Sequence, residues 1–259
     1  MYIYRHASQT LLELERHFGA ILLTGPRQVG KITLIEEAVI RAKGGTVSQV
    51  SLDDPVSLET AREEGGRFFL DHRPPVFIDE IQYAPNLFPY IKMTVDREKK
   101  NDLLYMSGSQ QFSLMKGVSE SLAGRVGVVD ILGLSLREIE NDPFGEPFCP
   151  EADYFEARGK NPLKTDFEGI WNIIWRGSLP KLYADPALPA QAYLASYLRT
   201  YIERDVRALT NVGDERKFLS FIRNTAARTG QMLNIANLAE QSDVSRPPCT
   251  TTGTRTGGR

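Results

Sequence analysis

The sequence predicts an α/β protein in which five strands form a parallel sheet, followed by a mainly helical segment. Three observations lead to this fold class. Short apolar runs alternate with helix-like stretches through residues 1–140. Apolar stripes at helical spacing dominate residues 166–245. The composition, with 41% hydrophobic and 25% charged residues, is ordinary for a globular protein and excludes a disordered or fibrous chain.

The predicted elements alternate regularly along the first half of the chain. Apolar patterns predict five strands, at residues 20–24, 46–54, 76–80, 103–109 and 126–132. The segments between them predict helices, at residues 31–42, 56–72, 86–100 and 112–124. We expect the second helix to break at Gly65-Gly66, and Pro89 to lie in the first turn of the third. This alternation indicates a sheet that helices cover on both faces.

The alternation stops at residues 141–165, which carry four prolines and two glycines. We therefore predict a first domain at residues 1–140, a Pro-rich linker at 141–165 and a helix-rich domain at 166–245. Residues 246–259 contain five Thr, three Gly and three Arg but no large apolar residue. We expect this tail to be disordered, because it has nothing to bury.

The net charge, the spacing of Cys and His residues and the absence of targeting segments exclude several classes of function. The 31 Lys and Arg nearly balance the 33 Asp and Glu, so no global basic field indicates nucleic acid or an anionic membrane. No Cys or His pair lies at metal-ligand spacing, which argues against a zinc or disulfide framework. The first residues lack the apolar core of a signal peptide, and no stretch approaches a membrane span. We expect a soluble, cytoplasmic protein without a membrane partner.

A glycine loop follows the first predicted strand and opens the first predicted helix. Residues 25–31 read GPRQVGK, the spacing of a phosphate-binding GxxxxGK loop. Glycines let backbone N–H groups converge on phosphate oxygens, and the lysine reaches the terminal phosphates. A turn that uses glycine only for its geometry is the structural alternative. The candidate nucleotide-binding residues are Gly25, Pro26, Arg27, Gln28, Val29, Gly30, Lys31, Ile32 and Thr33.

The position after the loop lysine departs from the motif. A Ser or Thr hydroxyl there normally binds Mg²⁺, but this chain has Ile32, followed by Thr33. A shift of one residue rotates a helical side chain by about 100°, so Thr33 cannot take the same place. We predict that phosphate binding persists while Mg²⁺ binding is weakened.

Two carboxylates end the third predicted strand. Asp79 suits a Mg²⁺ site, and Glu80 suits the base that polarises an attacking water. A solvated strand end is the alternative interpretation. Asp79 follows Lys31 by 48 residues, which leaves room for a further strand and two helices. This spacing implies an additional strand between the phosphate-loop strand and the acidic strand.

Two further positions complete the candidate catalytic set. Ser107 and Ser109 end the fourth predicted strand, where a hydroxyl could hold the attacking water or sense the γ-phosphate. An ordinary glycine turn explains them equally well. Arg125 could approach phosphate charge in the same chain or from a neighbouring subunit, and a surface salt bridge is its alternative role.

The motifs together carry a family resemblance. The first half contains, in order, GPRQVGK, VFIDEIQYAP, LYMSGSQQFSLM, SESLAGRV and LSLREI; the second half contains WRGSLPKLYADP, YLRTYIERDV and AARTGQMLNIANLA. They resemble the AAA-type prokaryotic ATPases of unknown physiological role, in which a P-loop domain precedes a helix-rich domain of unknown function. The resemblance covers residues 1–247. It implies ATP bound with Lys31, Mg²⁺ with Asp79, a catalytic Glu80 and sensing by Ser107 or Ser109.

The chain departs from this family at its end as well as at Ile32. Residues 234–247 look like the start of a helix-turn-helix, with Leu238, Ala239 and Val244 as packing residues and Ser245 as the cap of a second helix. The family continues with a recognition helix, whereas this chain continues with the Thr/Gly/Arg tail. We interpret the end as truncated or frameshifted, with natural sequence drift as the alternative.

Three functional hypotheses remain open. The leading one is an ATPase that acts as a switch or motor-like module, with hydrolysis impaired by Ile32. The second is a nucleotide-binding module that does not hydrolyse ATP. The third is a nucleotide-dependent DNA-binding regulator, since residues 199–228 hold seven basic and four acidic residues. Beyond the nucleotide, an unidentified protein or DNA partner and a homo-oligomer are possible.

Overall fold

A computed structural model describes residues 2–109, 115, 117–118, 120–146, 148–160, 162, 164–201 and 215–243. It confirms the α/β fold and the helical second half. The strands are β1 (Ala20–Thr24), β2 (Ser48–Ser51), β3 (Val76–Asp79), β4 (Leu104–Gly108) and β5 (Val126–Asp130). Each lies within a predicted strand.

The five strands form one sheet in the order β2-β3-β4-β1-β5, and every neighbouring pair is parallel. β4 therefore lies between β1 and β3, so a further strand does separate the phosphate-loop strand from the acidic strand. The strand within the 48-residue gap is β2, which pairs on the other side of β3. β1 and β4 are buried along their whole length, as central strands of a parallel sheet are expected to be.

Helices cover both faces of this sheet. In chain order they are α1 (Ala7–Leu14), α2 (Lys31–Ile35), α3 (Pro55–Glu63), α4 (Gly65–Asp71) and α5 (Phe88–Glu98). The predicted break at Gly65-Gly66 is observed as the boundary between α3 and α4, and Pro89 lies in the first turn of α5. The α2 segment continues as a π-helix over Glu36–Ile40. Five of the thirteen residues of the predicted helix at 112–124 lie outside the described residues.

Alternate side chains of β1 pack into two separate hydrophobic cores, one on each face of the sheet. Leu22 packs with Ile78, Phe68 and other residues beneath one face, whereas Ile21 packs with Leu34 and other residues beneath the other. All five side chains are fully buried. The period-two alternation of a strand is what lets one short apolar run anchor helices on both sides.

Further helices follow the sheet. They are α6 (Leu136–Ile139), α7 (Ala152–Gly159), α8 (Phe167–Arg176), α9 (Pro180–Ala184), α10 (Ala190–Tyr201), α11 (Glu215–Ala226) and α12 (Ile235–Gln241). Ser135 and Glu138 form a capping box at the start of α6. The Asp166 carboxylate accepts a hydrogen bond of 2.8 Å from the Gly169 backbone N–H, which caps α8.

The chain divides into two compact units, residues 1–190 and 191–259. This division lies beyond the predicted linker at 141–165, and the predicted domain limits stay a prediction. Among the residues that the structure describes, none of the helices has the length and apolar character that a membrane crossing requires.

In the second unit, α11 contacts α12. The Asn224 side-chain amide donates to the Gln241 carbonyl oxygen at 2.9 Å, and Leu238 and Ala239 of α12 are buried. A helix is thus observed where the first helix of the helix-turn-helix is predicted, while the motif itself stays a prediction. The packing residue Val244, the predicted second helix with its cap Ser245, and the 246–259 tail lie outside the described residues.

Gly133 lies where two segments of the first unit approach closely. The neighbouring Leu134 backbone N–H donates to the Ser178 carbonyl oxygen at 2.7 Å. A Cβ on Gly133 would lie 2.6 Å from Ser178 Cβ and 2.9 Å from Ser178 O.

We expect Gly133→Ala to lower the free energy of unfolding by about 1–3 kcal/mol, measured by urea denaturation. Gly159→Ala, with open space around its Cβ, is the control, and equal unfolding midpoints would contradict the packing described.

Candidate nucleotide-binding site

The candidate site lies at the carboxyl edge of the sheet. Because all strands are parallel, β1, β3 and β4 end at the same edge. The glycine loop leaves β1 there, Asp79 ends β3, and Ser107 lies one residue before the end of β4. The fold thus brings together the predicted loop, the two carboxylates and both serines.

The backbone of the loop requires its glycines. Gly25 has φ +135°, and a Cβ there would collide with the Ile131 carbonyl oxygen. Gly30, with φ +89°, adopts the left-handed conformation directly before α2. Gln28 is also left-handed, with φ +61°. Only glycine adopts such conformations without strain, so the loop curves sharply at both ends.

Lys31 folds back into the curve of the loop. Its residue is only 8% exposed, and its ammonium donates to the Gly25 carbonyl at 2.9 Å and to the Pro26 carbonyl at 2.8 Å. The next residue, Ile32, is 43% exposed, and Thr33 is exposed as well. The lysine is therefore positioned at the loop, whereas the side chain of Ile32 offers no oxygen ligand.

Asp79 is oriented by hydroxyl groups from the two neighbouring strands. Ser107, fully buried on β4, donates to Asp79 Oδ1, and Ser51 on β2 donates to Oδ2 at 3.4 Å. The Ser107 hydroxyl also accepts a 3.5 Å hydrogen bond from the Glu80 backbone N–H. Ser107 thus connects the two carboxylate residues. Sequence reasoning missed Ser51, which follows no motif and is placed only by strand pairing.

Glu80 turns into the site because its backbone is left-handed, with φ +56° and ψ +43°. This curl lets two consecutive residues face the same edge. Glu80 is 9% exposed, and its carboxylate accepts hydrogen bonds from Arg27 Nη1 at 3.3 Å, from Ser109 Oγ at 3.3 Å and from Gln82 Nε2. Such surroundings do not match a solvated strand end.

Arg27 links the loop to the acidic strand. Besides its ion pair with Glu80, its Nη2 donates to the Tyr83 hydroxyl at 3.2 Å. Gln82 donates to both Glu80 and Ser109. Gln82 and Tyr83 lie in the VFIDEIQYAP motif, but nothing in the sequence pattern distinguishes them from other polar residues after a strand.

The structure does not bring Arg125 to this edge. Arg125 precedes β5, and its carbonyl oxygen accepts from the Ala20 backbone N–H, at the amino edge of the sheet. Its guanidinium makes a double hydrogen bond to Asp96, at 2.6 and 3.1 Å, which lowers the pKa of the Asp96 carboxyl. A contact of Arg125 with phosphate in the same chain does not fit this placement. Only its role toward a neighbouring subunit stays a prediction.

Arg5 supports the loop from behind and was missed by sequence reasoning. Its buried guanidinium donates to the Val29 carbonyl of the loop at 2.6 Å, to the Leu132 carbonyl after β5 at 2.7 Å and to the Glu138 carboxylate at 3.0 Å. Burial alone would raise the pKa of Glu138, but the backbone hydrogen bond from Ser135 and the charge of Arg5 hold it below its ordinary value. A single arginine without a local pattern gives no signal in a sequence.

No dedicated protein cage for a metal is found in the described ranges. Among these residues, no three or more His, Cys, Asp or Glu side chains are grouped to hold an ion.

Family models and curated relatives match this chain. Residues 17–140 match the family described as an AAA domain (AAA_14), and residues 167–250 match a domain of unknown function (DUF8612). Uncharacterized proteins of Mycobacterium tuberculosis and Mycobacterium bovis are each 28% identical over 246 residues, which is 93% of this chain. The chain spans 48% of the length of these curated relatives.

A solved structure shows the same fold. A Walker-type ATPase of Pyrococcus abyssi superimposes with a TM-score of 0.51 at 14% sequence identity, covering 93% of this chain and 89% of that one. The resemblance seen in the sequence motifs is confirmed by these matches. Residues 17–140 thus match an AAA domain, residues 167–250 match a domain of unknown function, and the chain shares the fold of the Walker-type ATPase.

Proposed function

We propose that the AAA domain binds ATP at residues 25–31 and acts as a switch or motor-like module whose hydrolysis is impaired by Ile32. One observation supports this most strongly. The loop with its buried Lys31 lies at the same sheet edge as Asp79 and Glu80, and an ion pair joins the two sides. Phosphoryl transfer needs this combination of a phosphate cradle and acidic residues.

The loop residues fit a nucleotide phosphate. Gly25 and Gly30 give the loop its curve, and Lys31 would exchange carbonyl partners for phosphate oxygens. The hydroxyl of Thr24, directly before the loop, is buried without a hydrogen-bond partner in the described part of the chain. A buried polar group of this kind is stabilised by any ligand that offers it a hydrogen bond.

The metal fits less well. Asp79 would hold Mg²⁺ directly or through water, with Ser107 and Ser51 fixing its carboxylate. Bound Mg²⁺ neutralises charge on the phosphate oxygens. The helix offers Ile32 where a hydroxyl ligand belongs, and Mg²⁺ demands near-octahedral oxygen coordination. We therefore propose that metal binding is weak.

Glu80 is the proposed base. Its carboxylate would take a proton from the attacking water while Ser109 fixes one of its oxygens. Without turnover, the same site would act as a nucleotide-binding module, which is the alternative proposal.

A second proposal is a nucleotide-dependent DNA-binding regulator. The helix α12 at the position of the predicted motif and the excess of basic over acidic residues at 199–228 support it. A role of Arg125 at a neighbouring subunit would require a homo-oligomer. We further propose a cytoplasmic location and a protein partner that is not yet identified.

Lys31→Ala tests the binding site. A charge-assisted hydrogen bond contributes about 1.5–3 kcal/mol, so we expect ATP affinity to fall about tenfold or more in calorimetry. Lys92→Ala, at an exposed position of α5, is the matched control and is expected to bind ATP normally. Equal affinities of the unmodified and Lys31→Ala chains would show that the site is misassigned.

Ile32→Thr tests the missing metal ligand. We expect this change to restore Mg²⁺-dependent ATP turnover, because it returns a hydroxyl oxygen to the helix. The control is Ile32→Val, which keeps a β-branched shape without the oxygen. Rates are compared across a Mg²⁺ titration, and an unmodified chain that is already as fast as Ile32→Thr would refute the idea.

A further inference from the structure

We propose that Arg27 is a positioning residue that restrains Glu80 and releases it when a nucleoside triphosphate occupies the loop. The guanidinium would then transfer from the carboxylate to a phosphate. This inference rests on the proposed function. It assigns to Arg27 a coupling role beyond that of one loop residue among others.

The restraint is visible in the contacts of Glu80. Arg27 Nη1 contacts Oε1, while Gln82 Nε2 and Ser109 Oγ contact Oε2. A base has to contact the proton that it removes. Glu80 is 9% exposed and its Oε2 already accepts two donors, so Oε1, which Arg27 contacts, is the oxygen with acceptor capacity left for a water.

Arg27 is the donor best placed to leave. Gln82 belongs to the same turn as Glu80, and Ser109 directly follows β4, so both move with the sheet edge. Arg27 belongs to the loop itself. Its planar guanidinium is well suited to phosphate, and a triphosphate offers more negative charge than one carboxylate.

Tyr83 holds the Arg27 guanidinium beside Glu80, where the loop meets the acidic strand. Its hydroxyl accepts from Nη2 at 3.2 Å, while Nη1 contacts Glu80. The Arg27 side chain is 18% exposed, so it is partly accessible without being freely solvated. These contacts hold the guanidinium on Glu80 and the Tyr83 hydroxyl, next to the loop that is proposed to bind phosphate.

A purely structural ion pair makes a different prediction. If Arg27 stayed on Glu80, neutralising Glu80 would aid ATP binding only by removing a negative charge. That electrostatic gain would be equal or larger without Arg27, because nothing would then offset the carboxylate. If Arg27 changes partners, Glu80→Gln also removes the cost of breaking the ion pair, so the gain in ATP affinity is larger with Arg27 than without it.

The test is a double-mutant cycle of ATP affinity, measured by calorimetry in EDTA. The four chains are the unmodified protein, Glu80→Gln, Arg27→Gln and the double variant. We expect Glu80→Gln to tighten ATP binding about fivefold when Arg27 is present, because binding no longer breaks the pair. In the Arg27→Gln background we expect a smaller gain, about twofold, because only the removal of the negative charge then contributes.

Arg27→Lys serves as a second background. Lysine keeps the charge but not the double-donor geometry, so we expect an intermediate gain from Glu80→Gln. This background also keeps the test valid if Arg27→Gln fails to fold. An equal or larger gain without Arg27, or no gain with it, would overturn the inference alone. Absence of ATP binding in every chain would overturn the proposed function and the inference with it.

Discussion

The parallel register of β1, β3 and β4 is the constraint on which the candidate site depends. Backbone hydrogen bonds pair Leu22 with Met106, and Met106 with Ile78, so the strands end together. β4 places a buried serine between the phosphate-loop strand and the acidic strand. If this register shifted by one residue, Ser107 would face the other side of the sheet and lose Asp79.

The site also contains backbone conformations that the rest of the fold has to sustain. Gln28 and Glu80 are left-handed although neither is glycine, which costs about 1 kcal/mol or more at each position. Packing of the two cores and the buried Arg5 behind the loop offset this cost. The strain has a consequence for chemistry, because the curl at Glu80 is what turns a second carboxylate toward the loop.

Much of this arrangement could be predicted from local sequence. Apolar runs and glycines predicted the five strands, the break between α3 and α4 and the loop, because these features depend on neighbours in the chain. Long-range contacts could not be predicted in this way. Arg5 reaches a carbonyl at Val29 and one at Leu132, and Arg27 reaches Glu80, through pairings that only the folded chain creates. The sequence allowed Arg125 either a phosphate contact or a surface salt bridge; parallel pairing places it at the opposite edge, where it forms a salt bridge with Asp96.

The central claim is that this loop binds ATP with little help from Mg²⁺. Calorimetry of the unmodified chain with ATP, once in EDTA and once in excess Mg²⁺, tests it directly. The account predicts binding in EDTA and an affinity within about threefold of that value in Mg²⁺, because Ile32 supplies no metal ligand. No binding in either condition, or binding that strictly requires Mg²⁺, would contradict it.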